Sequence, residues 1–242
     1  ALLISGLYQI VDGAFIGHAM GAEGLSAINM AWPLSGVLLA VGMMIGMGSG
    51  ARCSLAQGEE KIDKARRILM QVFWLLIAMG ISVGLCIVYF APMFMRLQDA
   101  SGVIENYGID YLTIIGISGP IVLGSIAMPL LVRNLGAPRL ATIAMLTGAL
   151  LNVLMDYVFI IRLGWGLKGA AIGTIISESV AVIICIGFVF SRYNKLRPQR
   201  EHIAFNLRLS LESLTTGFSS MLMYLYLSVV VMMHNLLFMK HG

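Results

Sequence analysis

Charge is what this 242-residue chain has least of: Asp, Glu, Lys and Arg together make up 12% of it, against roughly 25% in an average soluble domain. With 59% hydrophobic residues and a mean hydropathy of +0.89, a water-soluble globular domain is excluded. The apolar regions also lack the alternation of about ten residues that marks membrane strands, which excludes a transmembrane β-barrel. Cysteine is sparse. Cys53, Cys86 and Cys185 lie in or beside apolar stretches without metal-ligand spacing, so the sequence predicts reduced packing residues and neither a disulfide framework nor a thiolate metal site. No HExxH, GxSxG, Walker loop or CxxC occurs, which leaves an enzyme or ATP-hydrolysing reading without support. No basic patch interleaved with aromatics is read outside the apolar regions, so nucleic-acid binding is not expected.

What the chain does have is long apolar runs. Dividing it at its charged residues leaves seven: 1–22, interrupted by Asp12; 24–51; 68–95; 111–132; 140–161, interrupted by Asp156; 169–191, interrupted by Glu178; and 213–239. Each is longer than the roughly 20 residues that a helix needs to cross a bilayer. The expected fold is therefore all-α and polytopic, a six-helix lobe plus a seventh transmembrane helix. Residue 1 is Ala rather than Met, and the seventh run is followed only by Lys240, His241 and Gly242, so the chain reads as a fragment of a longer membrane protein. The opening run is not read as a signal peptide, because no basic leader precedes it and Asp12 sits within it.

Basic residues set the expected topology. With alternating spans, the loops after the second, fourth and sixth hold Arg52, Lys61, Lys64, Arg66, Arg67, Arg133, Arg139, Arg192, Lys195, Arg197, Arg200 and Arg208, which is 12 of the 16 Lys and Arg residues. The opposite side holds Arg96, Arg162, Lys168 and Lys240. Lys and Arg accumulate in cytoplasmic loops, so the basic loops are expected on the cytoplasmic face of the cell (inner) membrane. The net charge of +4 is then a signal of orientation. The organisation expected is a lobe at 1–191, a cytoplasmic linker at 192–212 and the first helix of a second lobe at 213–242. Within the linker Ile203, Leu207, Leu211 and Leu214 recur at helical steps, which fits either a helix lying on the interface or a solvated basic loop. The charged stretch from Gln57 to Arg67 reads as a plain connection.

Small residues show where helices approach one another. Gly42, Gly46 and Gly50 form a GxxxGxxxG row on the second span and predict close packing there. Pro33, Pro120 and Pro129 kink or end helices, and Pro120, between Gly119 and Gly124, is the expected hinge.

The polar residues at membrane depth carry the chemistry. Asn152 and Asp156 are four apart and therefore share a helix face, with Gly148 and Ala149 one turn earlier leaving room in front of it. A carboxylate at the bilayer centre costs several kcal/mol even on mild scales, so Asp156 and Asp12 are functional candidates by default. Together with neutral oxygens they fit protons, small cations or cationic organic molecules. On the sixth span Ala170, Gly173, Thr174, Ser177, Glu178 and Ala181 form a small, polar stripe, and this stripe and the face of the fifth span are expected to form one wet pocket. Ser5, Tyr8 and Gln9 lie on the side of Asp12, and Tyr111 opens the fourth span beside Asp110. Ser5, Gln9 and Ser177 also fit plain interhelical hydrogen bonding, worth about 1 kcal/mol per contact. For Glu178 a coupling role and a structural pairing with a neighbouring donor stand equal, and His234 reads as a packing or pore-lining residue rather than a metal ligand.

Two stretches resemble one family. VDGAFIGHAMGAEGLSAINMAWP resembles the first span and following loop of the multidrug and toxic compound extrusion (MATE) transporters, and RNLGAPRLATIAMLTGALLNVLMDYVFIIRLGWGLKGAAIGT resembles their signature from the fourth to the sixth span. The matching elements are the Arg-x-x-Gly of Arg133 and Gly136, the Asn-x-x-x-Asp of Asn152 and Asp156, the Gly-x-x-Gly-Ala-Ala from Gly166 to Ala171, and Thr174. The linker and the seventh span are the least distinctive part.

The resemblance implies a twelve-helix antiporter of two six-helix lobes, a monomer that exports cationic drugs in exchange for Na⁺ or H⁺ and needs no other cofactor. It also implies that Asp12, Tyr111, Asn152, Asp156 and Thr174 form an amino-lobe pocket for the coupling ion. For Na⁺ the expected ligands are Asp12, Asn152, Asp156 and Thr174, since carboxylate, carboxamide and hydroxyl oxygens suit a hard cation. Proton exchange fits the carboxylates equally well, and the neutral oxygens of Asn152 and Thr174 tip the expectation toward Na⁺. A lipid-linked precursor flippase would want a cationic cavity, whereas here the basic residues lie in loops. A structural subunit would have no use for buried carboxylates. A chain without the remaining five helices is not expected to transport alone.

Overall fold

The computed structural model describes the backbone of residues 2–241 and the side chains of residues 10–199 and 201–237. Seven α-helices occur in chain order: α1 (Leu2–Gly58), α2 (Ile62–Leu97), α3 (Gly102–Ile117), α4 (Gly119–Asn134), α5 (Pro138–Asp156), α6 (Gly166–Val189) and α7 (Leu207–His241). A π-helical turn, Tyr157–Arg162, extends α5, and a 3₁₀ turn, Arg200–His202, precedes α7. There is no strand among the described residues. Among the described residues, five of the helices are long and apolar enough to cross a membrane, or six spans result if the bent pair α3 and α4 makes one.

The two first expected runs share α1, which breaks at Gly21. There φ is 65° and ψ is −152°, a combination essentially confined to glycine. The chain folds back sharply at this point: a Cβ on Gly17 would lie 3.1 Å from Leu25 Cδ1, residues that a straight helix holds about 12 Å apart. Elsewhere the expected boundaries are too short. The α3 helix begins at Gly102 rather than near 111, because the charges that mark the boundary in the sequence sit on the helix and pair, Glu105 with Arg96 at 2.7 Å and Asp110 with Lys168 at 3.1 Å. The expected hinge is a 64° bend between α3 and α4. Pro120, in the first turn of α4, has no amide hydrogen to donate backward and ends the α3 ladder at Ser118.

Packing follows the small residues. The glycine row of α1 lies on α4: Gly42 faces Ile126, Gly46 faces the backbone of Ala127, and Gly50 faces Asn134. The opposite face of the same helix takes α7. Gly48 meets the backbone of Ser213 and Gly217, Gly217 meets the carbonyl of Met44, and a side chain on either glycine would force the helices apart. Farther along, Gly36 sits against Ser228, and Asn235 Nδ2 donates to the carbonyl of Asn29 at 3.0 Å. Arg52 pairs with Glu212 at the other end. These contacts run in opposite order along the two chains, so α7 lies antiparallel on the second arm of α1. The α7 helix starts at Leu207, and the apolar steps are therefore not one interfacial helix. Ile203 precedes it, Leu207 and Leu211 are exposed in its first turns, and Leu214 packs on the core.

The expected charge grouping recurs in space. Arg66, Arg192, Lys195 and Arg197 line a common cavity, and Arg52 and Arg208 both reach Glu212. Around the turn between α1 and α2, Lys61 lies 2.9 Å from Glu59 and holds its carboxyl below the usual carboxylate range. Placing these loops in the cytoplasm has a direct test. In a background without Cys53, Cys86 and Cys185, a membrane-impermeant maleimide added to intact cells should label Ser101→Cys, beside Asp99, and miss Lys61→Cys and Arg197→Cys. The opposite pattern would reverse the assignment.

Candidate functional site

The site is built where the first arm of α1 meets α5 and α6. Asp156 is the last residue of α5, fully buried, and Asn152 one turn earlier is 4% exposed. Across the helix pair, Asn152 Nδ2 donates to Thr174 Oγ1 at 3.3 Å. Gly173 allows α6 to lie directly over the carboxylate, since a Cβ there would be 3.1 Å from Asp156 Oδ1. From α1 the Asp12 side chain reaches the same point, and the two carboxylates interact directly. Four expected residues, Asp12, Asn152, Asp156 and Thr174, thus converge from three helices.

Their oxygens are short of donors. Asp12 Oδ1, Asn152 Oδ1 and both carboxylate oxygens of Asp156 are buried with no hydrogen-bond partner. An unpaired buried polar atom costs about 1–3 kcal/mol, more when charged, and two carboxylates in contact repel unless a proton or cation neutralises one of them. Carboxylate, carboxamide and hydroxyl oxygens are the donor set of a hard cation or a shared proton. Among the described residues no three His, Cys, Asp or Glu side chains are grouped for a metal.

The remaining expected residues are placed differently. Tyr111, half-buried on α3, packs on the apolar cluster of Ile16, Ala27, Ile160, Leu167 and Ala170, which forms the wall beside the carboxylates. Its neighbour Asp110 is held by Lys168 at the head of α6. Glu178 lies one turn beyond Thr174 and faces α4, where the Ser125 hydroxyl is beside it; its Oε2 is buried without a hydrogen bond. No basic side chain pairs with it among the described residues, and the neighbouring donor on which a structural role would rest is Ser125. Ser177 is spent locally on the Thr174 carbonyl at 2.7 Å. His234 is exposed on α7, and the side chains of Ser5, Tyr8 and Gln9 lie outside the described residues.

Three features carry no sequence signal of the kind used above. The π turn begins immediately after Asp156: Leu163 N donates to the Val158 carbonyl five residues back, at 2.9 Å, and Phe159 stacks on Trp165. Such turns inside helices gather at functional sites. The other two are buried amides that tie α7 down. Gln71 accepts from Asn206 N at 2.8 Å and Ser210 Oγ at 3.3 Å. Gln98 donates to the Met30 carbonyl at 2.7 Å and accepts from Asn235 at 3.3 Å. Dividing a sequence at its charges passes over amides, although at about 1 kcal/mol per bond they decide which helices meet.

Comparison with known proteins agrees with this architecture. The sequence profile of the MatE family matches residues 1–158. The multidrug export protein MepA of Staphylococcus haemolyticus (strain JCSC1435) is 28% identical, over 99% of this chain and 53% of its own length. MepA of Staphylococcus aureus (strain MSSA476) is 27% identical, over 93% of this chain and 52% of its own. Among solved structures, an inward-facing multidrug resistance MATE family transporter of the MOP superfamily superposes with a TM-score of 0.88 at 22% identity, covering 93% of this chain and 51% of that one. An outward-facing one gives 0.87 at 21%, covering 94% and 51%. The chain spans about half the length of the relatives it matches. A profile match over more than half of the residues, on a fold of membrane-length helices that superposes on about half of those structures, makes this multi-pass membrane chain a member of the MatE family.

Proposed function

We propose that the full-length protein is a cation-coupled exporter of cationic drugs or other toxic organic compounds, working by alternating access and not as an enzyme. The observation that supports this most directly is the contact of Asp12 with Asp156 in a membrane-embedded wall, with the free oxygen of Asn152 beside them. In the outward-facing state these oxygens take up Na⁺ or H⁺. Occupation cancels the charge that makes burial costly, so the occupied pocket closes readily while the empty one stays hydrated. Closure weakens the hold on a cationic drug, and export follows because ion and drug prefer different states. The names of the MepA relatives, multidrug export proteins, point the same way. Lobe, linker and seventh helix, 1–191, 192–212 and 213–242, are the organisation we assign to this half.

An efflux assay with the full-length gene tests the reading. Expression in a strain stripped of its own pumps should lower steady-state accumulation of a fluorescent cation severalfold, and collapse of both the Na⁺ and the H⁺ gradients should restore it. Accumulation equal to the empty vector, with the protein present in the membrane, would refute it and leave flippase or structural roles.

A further inference from the structure

The start of α2 and the loop that follows α6 form an open cavity of about 540 Å³ lined by Arg66, Arg192, Asn194, Lys195, Arg197, Pro198 and Gln199. Four cations and no carboxylate form its wall. The loop is held in place: buried Asn194 donates through Nδ2 to the Val189 carbonyl at 2.8 Å and accepts from Leu196 N at 3.0 Å, and Gln199 N donates to His202 Nδ1 at 3.1 Å. Acidic compensation is thin. Asp63 lies 3.5 Å from Arg66 Nη1 and 3.6 Å from His202 Nε2, and Glu201 lies 3.8 Å from His202. Both acids are largely exposed. Among the described residues Lys195 and Arg197 have no carboxylate partner, and Arg66 Nε is buried without an acceptor. A fixed loop that converges cations and leaves a guanidinium donor unused is complementary to an anion with several acceptor oxygens.

The surroundings indicate where that anion resides. Beside the cavity Trp74, Phe190, Tyr193, Ile203 and Phe205 are all more than 40% exposed. Trp74 Nε1 donates to the Ile203 carbonyl at 2.8 Å, its ring meets Phe205 edge-on, and the Arg192 guanidinium lies over the Tyr193 ring. Aromatics of this kind at the ends of membrane helices sit at headgroup level. Basic pockets between helix ends at that depth receive anionic headgroups.

We propose that this cavity is a binding site for the phosphodiester headgroup of an anionic phospholipid, which clamps the start of α2 to the loop after α6. Each cation near the bilayer surface contributes about fivefold to affinity for anionic lipid, so removing two lowers it about 25-fold.

Native mass spectrometry of the full-length protein, delipidated and titrated with dioleoyl phosphatidylglycerol, dioleoyl phosphatidylcholine or inorganic phosphate, reads this directly. The protein should retain phosphatidylglycerol far better than phosphatidylcholine, and millimolar phosphate should not displace it. Lys195→Gln/Arg197→Gln should weaken phosphatidylglycerol by about 25-fold, Arg192→Gln by about fivefold, and Arg133→Gln/Arg139→Gln, in another basic loop, not at all. The lipid-free Tm of each variant reports its folding, and Arg192→Gln reads the site independently if the double variant is unstable. Equal retention of the two lipids would overturn the proposal, as would equal losses in the two double variants. Displacement by free phosphate would reassign the cavity to a soluble anion and overturn the lipid site.

Discussion

Asp156→Asn in the full-length protein is expected to return drug resistance to the level of cells carrying an empty vector, with the protein still abundant in the membrane. The substitution keeps the shape of the side chain and its place beneath Gly173, where a Cβ would lie 3.1 Å from Oδ1. What it removes is the charge. A carboxylate at membrane depth costs at least about 2.5–3.5 kcal/mol, and that cost is the lever by which ion occupation selects the closed state. An amide binds neither a proton nor Na⁺ strongly, so the variant loses the difference between its empty and occupied forms. Asp12→Asn should behave alike, because the two carboxylates interact directly. The double variant should be no worse than either single one, because each alone already brings resistance to the empty-vector level. Resistance retained by both single variants would remove the carboxylate pair from the mechanism. Glu178→Gln separates two roles for the neighbouring acid, since loss of activity at normal abundance assigns it to coupling and loss of the protein itself assigns it to structure.

In proteoliposomes of the full-length protein, an inward Na⁺ gradient at equal pH should drive movement of a fluorescent cation, and Asn152→Leu should abolish it. A tenfold gradient supplies about 1.4 kcal/mol per ion, enough for a roughly tenfold concentration ratio of a drug exchanged one for one. Asn152 is the discriminating residue. It offers Oδ1, buried and unpartnered, while its Nδ2 holds Thr174 Oγ1 at 3.3 Å. A proton on Asp156 needs neither group, whereas a Na⁺ ion needs several oxygens at once. Leucine has nearly the same volume and no oxygen. Transport driven by a pH gradient with no Na⁺ present, unchanged in Asn152→Leu, would assign coupling to protons and leave the carboxylate pair in place.

Part of this site is legible in the sequence because helices make short-range spacing into geometry. Asn152 and Asp156 share a face on the strength of a four-residue step, and the face of α6 that carries Thr174 and Gly173 follows from the same rule. The glycine row Gly42, Gly46 and Gly50 predicts a close crossing, and the row lies on α4. The π turn after Asp156 was not legible, because no residue type in Tyr157–Arg162 distinguishes it from continued α-helix. Nor was the start of α3 at Gly102, where Glu105 and Asp110 look like the end of a span until Arg96 and Lys168 are seen to pair with them.

Composition alone determined that this is a multi-pass helical membrane protein, because 12% charge in a chain of 242 residues leaves seven runs that water cannot solvate. Charge order along the chain grouped the basic loops, and local spacing determined which residues share a helix face. Only the tertiary structure decided which helices meet. The contact of Asp12 with Asp156 joins residues far apart in sequence, and the antiparallel seat of α7 on α1 depends on Gly48 and Gly217 arriving at the same point. The physical reason is that helical periodicity is a property of a few consecutive residues, whereas a crossing is chosen by the fit of two complete surfaces and by single buried amides such as Gln71 and Gln98. Lipid is as apolar as the helices themselves, so hydrophobicity selects no partner, and close packing and hydrogen bonds do.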